Sequence, residues 1–385
     1  MRKIIFRYIL KEIAIVFFMI LFVLTFVLLM GRILQVMDLM VNKGVSFFSI
    51  AKIIIFLLPS FLTLTIPVAL LIAILITVGK FSADNEITAL KASGVSLLQI
   101  YYPVAVASLI AFVFTMFISQ VLMPKSNFAT KNLLFEVASQ NASVGISEKV
   151  FNADFKGLLL YADRISADGH YMEGVLVSDN RIIGEPNTIL AQRAFLVSNP
   201  ELMRVKMRLE NGSIHTLSHD FKNYRKIDFD RYDINLDLSA GIASLGDEHK
   251  RSKDMTFNEL ITKMKTPDLE QNKFRELAIE LHERFSVPLA CIFFGLLALP
   301  LGIRSHRAVK SRGFAVGIIL ATFYYVLRIG GEAFAETGYI SPLVGVWTPN
   351  LIFAIIGCYL FIMSYKEISL LHLGKVLIWR KFYHN

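Results

Sequence analysis

Three long apolar runs, a stretch of alternating apolar and polar residues, and three further apolar runs make up this chain, in that order. The runs predict helices at about 13–31, 52–78, 98–122, 285–303, 314–333 and 347–364, each long enough to cross about 30 Å of hydrocarbon. The second contains Pro59 and Pro67, which membrane helices tolerate where neighbouring groups satisfy the freed carbonyls. Between the third and fourth runs the period changes to two. In LMRVKMRLENG, Met203, Val205, Met207 and Leu209 alternate with Arg204, Lys206, Arg208 and Glu210. In KIDFDRYDINLDLS, Ile227 and Phe229, then Ile234, Leu236 and Leu238, alternate with polar residues. GLLLYADRIS, MEGVLVSDN and NTILAQRAFLVS are further strand candidates, with turn signals at Asp168-Gly169 and Asn211-Gly212. Short strands of this kind predict a sandwich or open barrel. GIASLGDEHKRSKDM reads as a linker, and TFNELITKMK and NKFRELAIELHERF as helices, the second running into the fourth span.

The expected fold is a polytopic α-helical membrane protein with six transmembrane helices, three and three, and an inserted all-β domain. The expected domains are 1–123 (three spans), 124–270 (β domain and linker) and 271–385 (three spans and a tail). The first run is longer than a signal-peptide core and lacks a small-residue cleavage site, so it reads as an uncleaved span.

Composition agrees: 55% of residues are hydrophobic and 18% charged, against about 25% charged in soluble domains. The net charge of +9 does not point to nucleic acid, because the basic residues gather beside apolar runs, where they act as topology signals. Arg2, Lys3, Arg7 and Lys11, then Arg304, Arg307, Lys310 and Arg312, then Lys366, Lys375, Arg380 and Lys381 all fall on one side of a six-span chain. The loop EAFAETGYISPLVG, with Glu332 and Glu336 and no Lys or Arg, falls on the other. Both termini are thus expected in the cytoplasm and the β domain outside. Cys291 and Cys358 lie inside apolar runs, which argues against a disulfide framework, and no Cys/His cluster has zinc spacing. A phosphate-binding loop is missing too: Gly79-Lys80 is followed by Phe and Gly374-Lys375 by Val. With no Ser/His/Asp or paired-carboxylate arrangement, catalysis within this chain is not expected.

The stretch SADNEITALKASGVS joins the second and third spans with more polar residues than a loop needs. Ser82 suits an N-cap, Asp84 and Glu86 the first turn, and Gly94 the stop. Ala83, Ile87, Leu90 and Gly94 fall on one stripe, bordered by Glu86. Such a helix lies on lipid or docks in a protein groove. The flanking acids oppose an anionic leaflet.

At this point the chain resembles the LptF/LptG permease family, subunits of the transporter that extracts lipopolysaccharide from the inner membrane of Gram-negative bacteria. The carrying residues are GKFSADNEITALKASGVS, the preceding IPVALLIAILITVGK, and ELHERFSVPLACIFFGLLALPLGI at the fourth span. Slightly more weight falls on LptF than on LptG. The resemblance implies that the loop helix is a coupling helix, with Asp84, Glu86, Ile87 and Leu90 meeting a separate LptB-type ATPase dimer. It further implies a jellyroll-like β domain, a second permease of the LptG kind, periplasmic LptC/LptA-type jellyroll partners, and lipopolysaccharide as cargo. ATP would be used by the ATPase, with no cofactor bound by this chain. Two other classes fit the same spans: a mechanotransmission subunit that moves no substrate through them, and an anchor displaying the β domain.

Two arginines are candidate lipid-phosphate contacts. Arg32, in LLMGRILQVMDLM, is either a snorkelling side chain or a cation facing lipid phosphates. Arg328, inside the fifth span, either pairs with Glu332 at i, i+4 or serves the cargo. Glu283 and Arg284, opening the fourth span, read as interfacial anchors.

Overall fold

The computed structural model describes residues 2–43, 46–140, 148–155, 157–166, 171–181, 187–199, 204–217, 224–236, 252–266, 269–303 and 311–366. The basic residues Arg304, Arg307 and Lys310, the tail beyond Lys366, the Asp168-Gly169 turn, Met203 and Leu238 of the alternating stretches and linker residues 241–251 lie outside them. Five helices come first: α1 (Arg2–Lys43), α2 (Phe47–Ala83), α3 (Glu86–Ala92), α4 (Leu97–Phe117) and α5 (Met123–Gln140). Strands β1 (Asn152–Phe155), β2 (Leu158–Ile165), β3 (Tyr171–Asp179), β4 (Asn187–Asn199), β5 (Arg204–Leu217) and β6 (Tyr224–Leu236) follow. The chain closes with α6 (Phe257–Met264), α7 (Gln271–Ile303), α8 (Ser311–Glu336) and α9 (Pro342–Tyr365).

Six stretches are long and apolar enough to span a membrane: Lys3–Leu34, Phe47–Ala83, Leu97–Leu133, Gln271–Ile303, Gly313–Glu336 and Pro342–Tyr365. Every predicted span is present, and most extend further than the apolar runs alone indicate. The third passes through a π-helical turn, Ile118–Leu122, into α5. Pro124 has no N–H to offer the carbonyl of Gln120, and the helix widens ahead of it.

The chain divides into two compact units: Met1–Met30, Leu58–Lys125 and Ser252–Asn385 form one, Gly31–Leu57 and Ser126–Arg251 the other. In the first, α7 packs against α4, α8 and α9. The inward faces of α2, α4 and α7 share a core that includes Ile66, Leu71, Ile74, Val104, Phe294 and Leu297. Phe18, Phe22 and Phe26 on α1 and Ile319, Val326 and Ile329 on α8 stay exposed, as lipid-facing residues do. Apolar surface does not drive helices together in lipid, so close approach matters. At the α8–α9 crossing a side chain on Gly331 would strike the carbonyl of Gly345, and one on Gly345 would strike the carbonyl of Gly331.

In the second unit the strands form one six-stranded antiparallel sheet in chain order, β1 to β6. No crossover occurs among the described strands. One face is apolar and buried, with Leu160, Ala162, Val177, Ala194, Met207 and Leu209 at its centre. The two-residue period slips once on each of β2 to β5. Buried Ala191 is followed by buried Ala194, and Met172 by Val175, leaving two outward residues in succession. Asn211-Gly212, predicted as a turn, lies inside β5 at this slip. Asn211 takes φ 52° and Gly174 φ 60°, the left-handed region that Asn tolerates and Gly enters freely. Across the crease Arg164, Glu173, Arg193, Glu210 and Arg231 pair in register, a ladder of alternating charge. The slip keeps apolar residues facing one core on both sides of the crease.

Candidate functional site

The polar connection between α2 and α4 is helical, as its sequence predicts, but its ends are built differently. α2 runs on through Ala83, so Ser82 is not an N-cap; its buried hydroxyl donates to the Ile303 carbonyl at 2.8 Å, tying the end of α2 to the end of α7. Asn85 stands at the N-cap of α3 with φ 59° and no side-chain cap bond. Gly94 ends the helix as predicted: at φ 83°, its N–H meets the Lys91 carbonyl at 2.9 Å, and the Val95 N–H meets Leu90 at 3.0 Å. These two bonds define a Schellman stop. Ser96 then caps α4, accepting from the Gln99 N–H.

Seven residues make too short a helix to persist alone. α3 is held by its apolar stripe, which turns inward. Ile87 is 4% exposed and belongs to the helical core, with Leu90 and Val95 packed against it. Ile87 therefore anchors the helix and offers no surface to a partner. Ala83, carried on the same predicted stripe, is exposed. The outward face is made of small and polar residues: Asp84, Asn85, Thr88, Ala89 and Ser93. Glu86 sits at its border, half-buried, accepting from the Tyr8 hydroxyl at 3.3 Å. Tyr8 stacks on Phe81 at 5.3 Å, and Lys80 pairs with Glu12 at 2.8 Å. The connection is thus a knob anchored on α2, α4 and α7, with two carboxylates on or beside a face of short side chains. Such a face fits closely into a basic groove.

A second polar cluster lies among α7, α8 and α9. Arg328 is not a free cation. Its Nε and Nη2 donate to Glu283 Oε1 at 3.0 and 2.7 Å, so Glu283 on α7, not Glu332, is its bonded partner. The guanidinium also lies 5.9 Å from the Tyr325 ring. Glu283 and Arg284 are not interfacial anchors; they are 6% and 2% exposed. Arg284 donates from Nε to Glu280 at 2.9 Å and from Nη2 to the Ser252 carbonyl at 3.2 Å. Deeper along α7, Asn350 gives its amide to the Ser286 carbonyl and hydroxyl, both at 2.8 Å. Its Oδ1 accepts from the Tyr324 hydroxyl at 3.0 Å. Buried polar groups in a membrane need such partners, and here they pin α7 to α8 and α9. Glu280, Glu283 and Arg284 at i, i+3 and i+4 were the sequence signal: they carry the buried face of α7 back from residue 285 to Leu277.

Arg32 is exposed on α1, as either reading of it requires. No group of three or more His, Cys, Asp or Glu that could hold a metal occurs among the described residues.

Six helices long and apolar enough to cross a membrane, an inserted antiparallel sheet and an anchored connecting helix define a multispanning membrane protein with an inserted β domain. A model of the family described as "Lipopolysaccharide export system permease LptF/LptG" matches residues 7–363. The chain belongs to this family of lipopolysaccharide export permeases. It is 20% identical over 357 residues to the lipopolysaccharide export system permease protein LptF of Escherichia coli K12, covering 91% of this chain and 92% of that protein. LptF of Shigella flexneri matches to the same extent. An uncharacterized protein of Rickettsia prowazekii is 24% identical over 327 residues, covering 84% of this chain and 88% of that protein.

Proposed function

We propose that this chain is a non-catalytic permease subunit of an ABC-type exporter in the bacterial inner membrane. In this reading it works beside a second permease of its family, of the LptG kind, and both are driven by an LptB-type ATPase dimer. Lipopolysaccharide leaves the membrane through the pair and passes to periplasmic jellyroll proteins of the LptC/LptA kind, for assembly of the outer membrane. Both termini and α3 face the cytoplasm, and the sheet faces the periplasm. ATP is bound by the partner and not by this chain.

One observation carries the proposal: α3 is clamped to the helical core through Ile87, with Ser82 fixing the adjoining end of α2, while its acidic, small-residue face is left outward. A partner gripping that face moves α2, α4 and α7 with it. Asp84 and Glu86 are the proposed contacts, and Ile87 and Leu90 the anchors. The test is Glu86→Lys in the full chain, expressed with its ATPase. Charge reversal at a half-buried contact disfavours docking by on the order of 2–5 kcal/mol, so ATPase recovered with the permease should fall at least tenfold. Thr88→Ser, on the same face, should be neutral. Normal recovery and normal lipopolysaccharide release in Glu86→Lys would refute the coupling role.

A further inference from the structure

We propose that the groove between the start of α1 and the start of α4 binds an anionic glycerophospholipid of the adjoining leaflet. The proposal rests on this groove's own residues and does not depend on which side of the membrane it faces. The groove has a volume of about 660 Å³ and is lined by the side chains of Lys3, Ile5, Phe6, Leu98 and Tyr102 and by the turn at Ser93 and Gly94. Its floor is apolar: the rings of Phe6 and Tyr102 meet at 5.5 Å with their planes tilted by 45°. Among the described residues that line it, Lys3 is the charged one and none is acidic.

Continuity with the lipid-facing surface identifies the occupant. Leu98 and Tyr102 are 51% and 63% exposed, and Leu109 and Val113 continue the same outward stripe down α4 at 53% and 58%. On the other wall Ile4, Ile15, Phe18 and Phe22 are likewise exposed along α1. The groove opens at the level where both spans begin. A headgroup beside Lys3 therefore places its acyl chains against surfaces already suited to hydrocarbon. A phosphodiester whose headgroup adds no positive charge complements the Lys3 ammonium. A zwitterionic lipid brings its own cation and gains less. A soluble peptide would leave the lower, lipid-exposed walls uncovered. Tyr102 at the rim, with an apolar ring and a polar tip, suits the interfacial layer.

The test uses the full chain with its partners in nanodiscs of phosphatidylcholine. Each holds a trace of photoactivatable phosphatidylglycerol or phosphatidylcholine carrying the same acyl diazirine, and adducts are mapped by mass spectrometry. Adducts on residues 3–6 and 93–102 should favour phosphatidylglycerol by about fivefold, the ratio given by one lysine near a membrane surface at about 1 kcal/mol. Lys3→Gln should reduce the preference to unity. Leu98→Trp, which narrows the groove and keeps Lys3, should remove adducts of both probes from it. Lys11→Gln, a basic residue outside the groove, should leave the preference intact. Equal labelling by the two lipids in the wild type, or equal loss in Lys3→Gln and Lys11→Gln, would reduce the effect to the general lipid annulus or to diffuse charge and overturn the site. Absence of lipid adducts in the groove would mean that a protein partner covers it, which overturns the site as well.

Discussion

Removing the guanidinium of Arg328 leaves Glu283 as a buried carboxylate without its counter-charge. The two side chains are 19% and 7% exposed, so water screens the pair poorly. Breaking a buried pair from one side costs about 3–5 kcal/mol. Losing the contact with the Tyr325 ring adds about 0.5–1 kcal/mol. Arg328→Met is therefore expected to destabilise the helical unit by about 4 kcal/mol. Arg328→Lys keeps the charge but cannot reproduce two donors on one oxygen, a loss of about 1 kcal/mol. The double variant Arg328→Met/Glu283→Leu removes both charges and should recover more than half of the loss. The measurement is a double-mutant cycle on unfolding of the purified full chain in mixed micelles, in which the double variant should lose about 6 kcal/mol less than the sum of the two single variants. Glu283→Gln should resemble Arg328→Met, and Glu332→Gln should not. Losses that simply add, to within about 0.5 kcal/mol, would refute the pairing. A defect in Glu332→Gln equal to that of Arg328→Met would return Arg328 to the partner one turn away on its own helix.

The α8–α9 crossing makes a sharp comparison: Gly331→Ala drives a methyl into the Gly345 backbone and should cost about 1–3 kcal/mol, whereas Gly330→Ala meets nothing within 4 Å and should be tolerated. In a Cys358→Ser background, a cysteine at exposed Thr88 should react with an impermeant maleimide only from the cytoplasm, and one at exposed Gln192 only from the periplasm; labelling of both from one side would overturn the topology. In the sheet, the hydrogen bond from Arg181 holds the Asp179 carboxyl below the usual range. Its contribution to stability is therefore complete above the ordinary carboxylate value and fades as pH falls through the depressed one. Urea midpoints of wild type and Asp179→Asn should differ at pH 7 and converge near pH 2, and a constant gap would remove the pair from the account.

Apolar length and period alone determined six spans, an inserted β domain and the helical nature of the α2–α4 connection. These are properties of single segments: a run of about twenty apolar residues has no soluble alternative, and Gly94 stops a helix through its own backbone freedom. Only the tertiary structure decided which way the α3 stripe points. The weak stripe of Ile87 and Leu90 suits a partner's groove or the protein's own core equally well, and the nearby ends of α2, α4 and α7 supply that core. The same holds for Ser82, an N-cap by residue type that instead closes a contact across 221 positions of chain. Arg328 illustrates the limit most clearly. Within one helix its visible partner is Glu332, four residues on, but helix packing brings Glu283 of α7 to 2.7 Å. In the sheet, one residue of phase lost at Asn211 and Gly174 turned a predicted turn into a crease, because an apolar face has to meet one core along its whole length. Local sequence sets the period of each element; which group completes a buried charge depends on what the rest of the chain brings beside it.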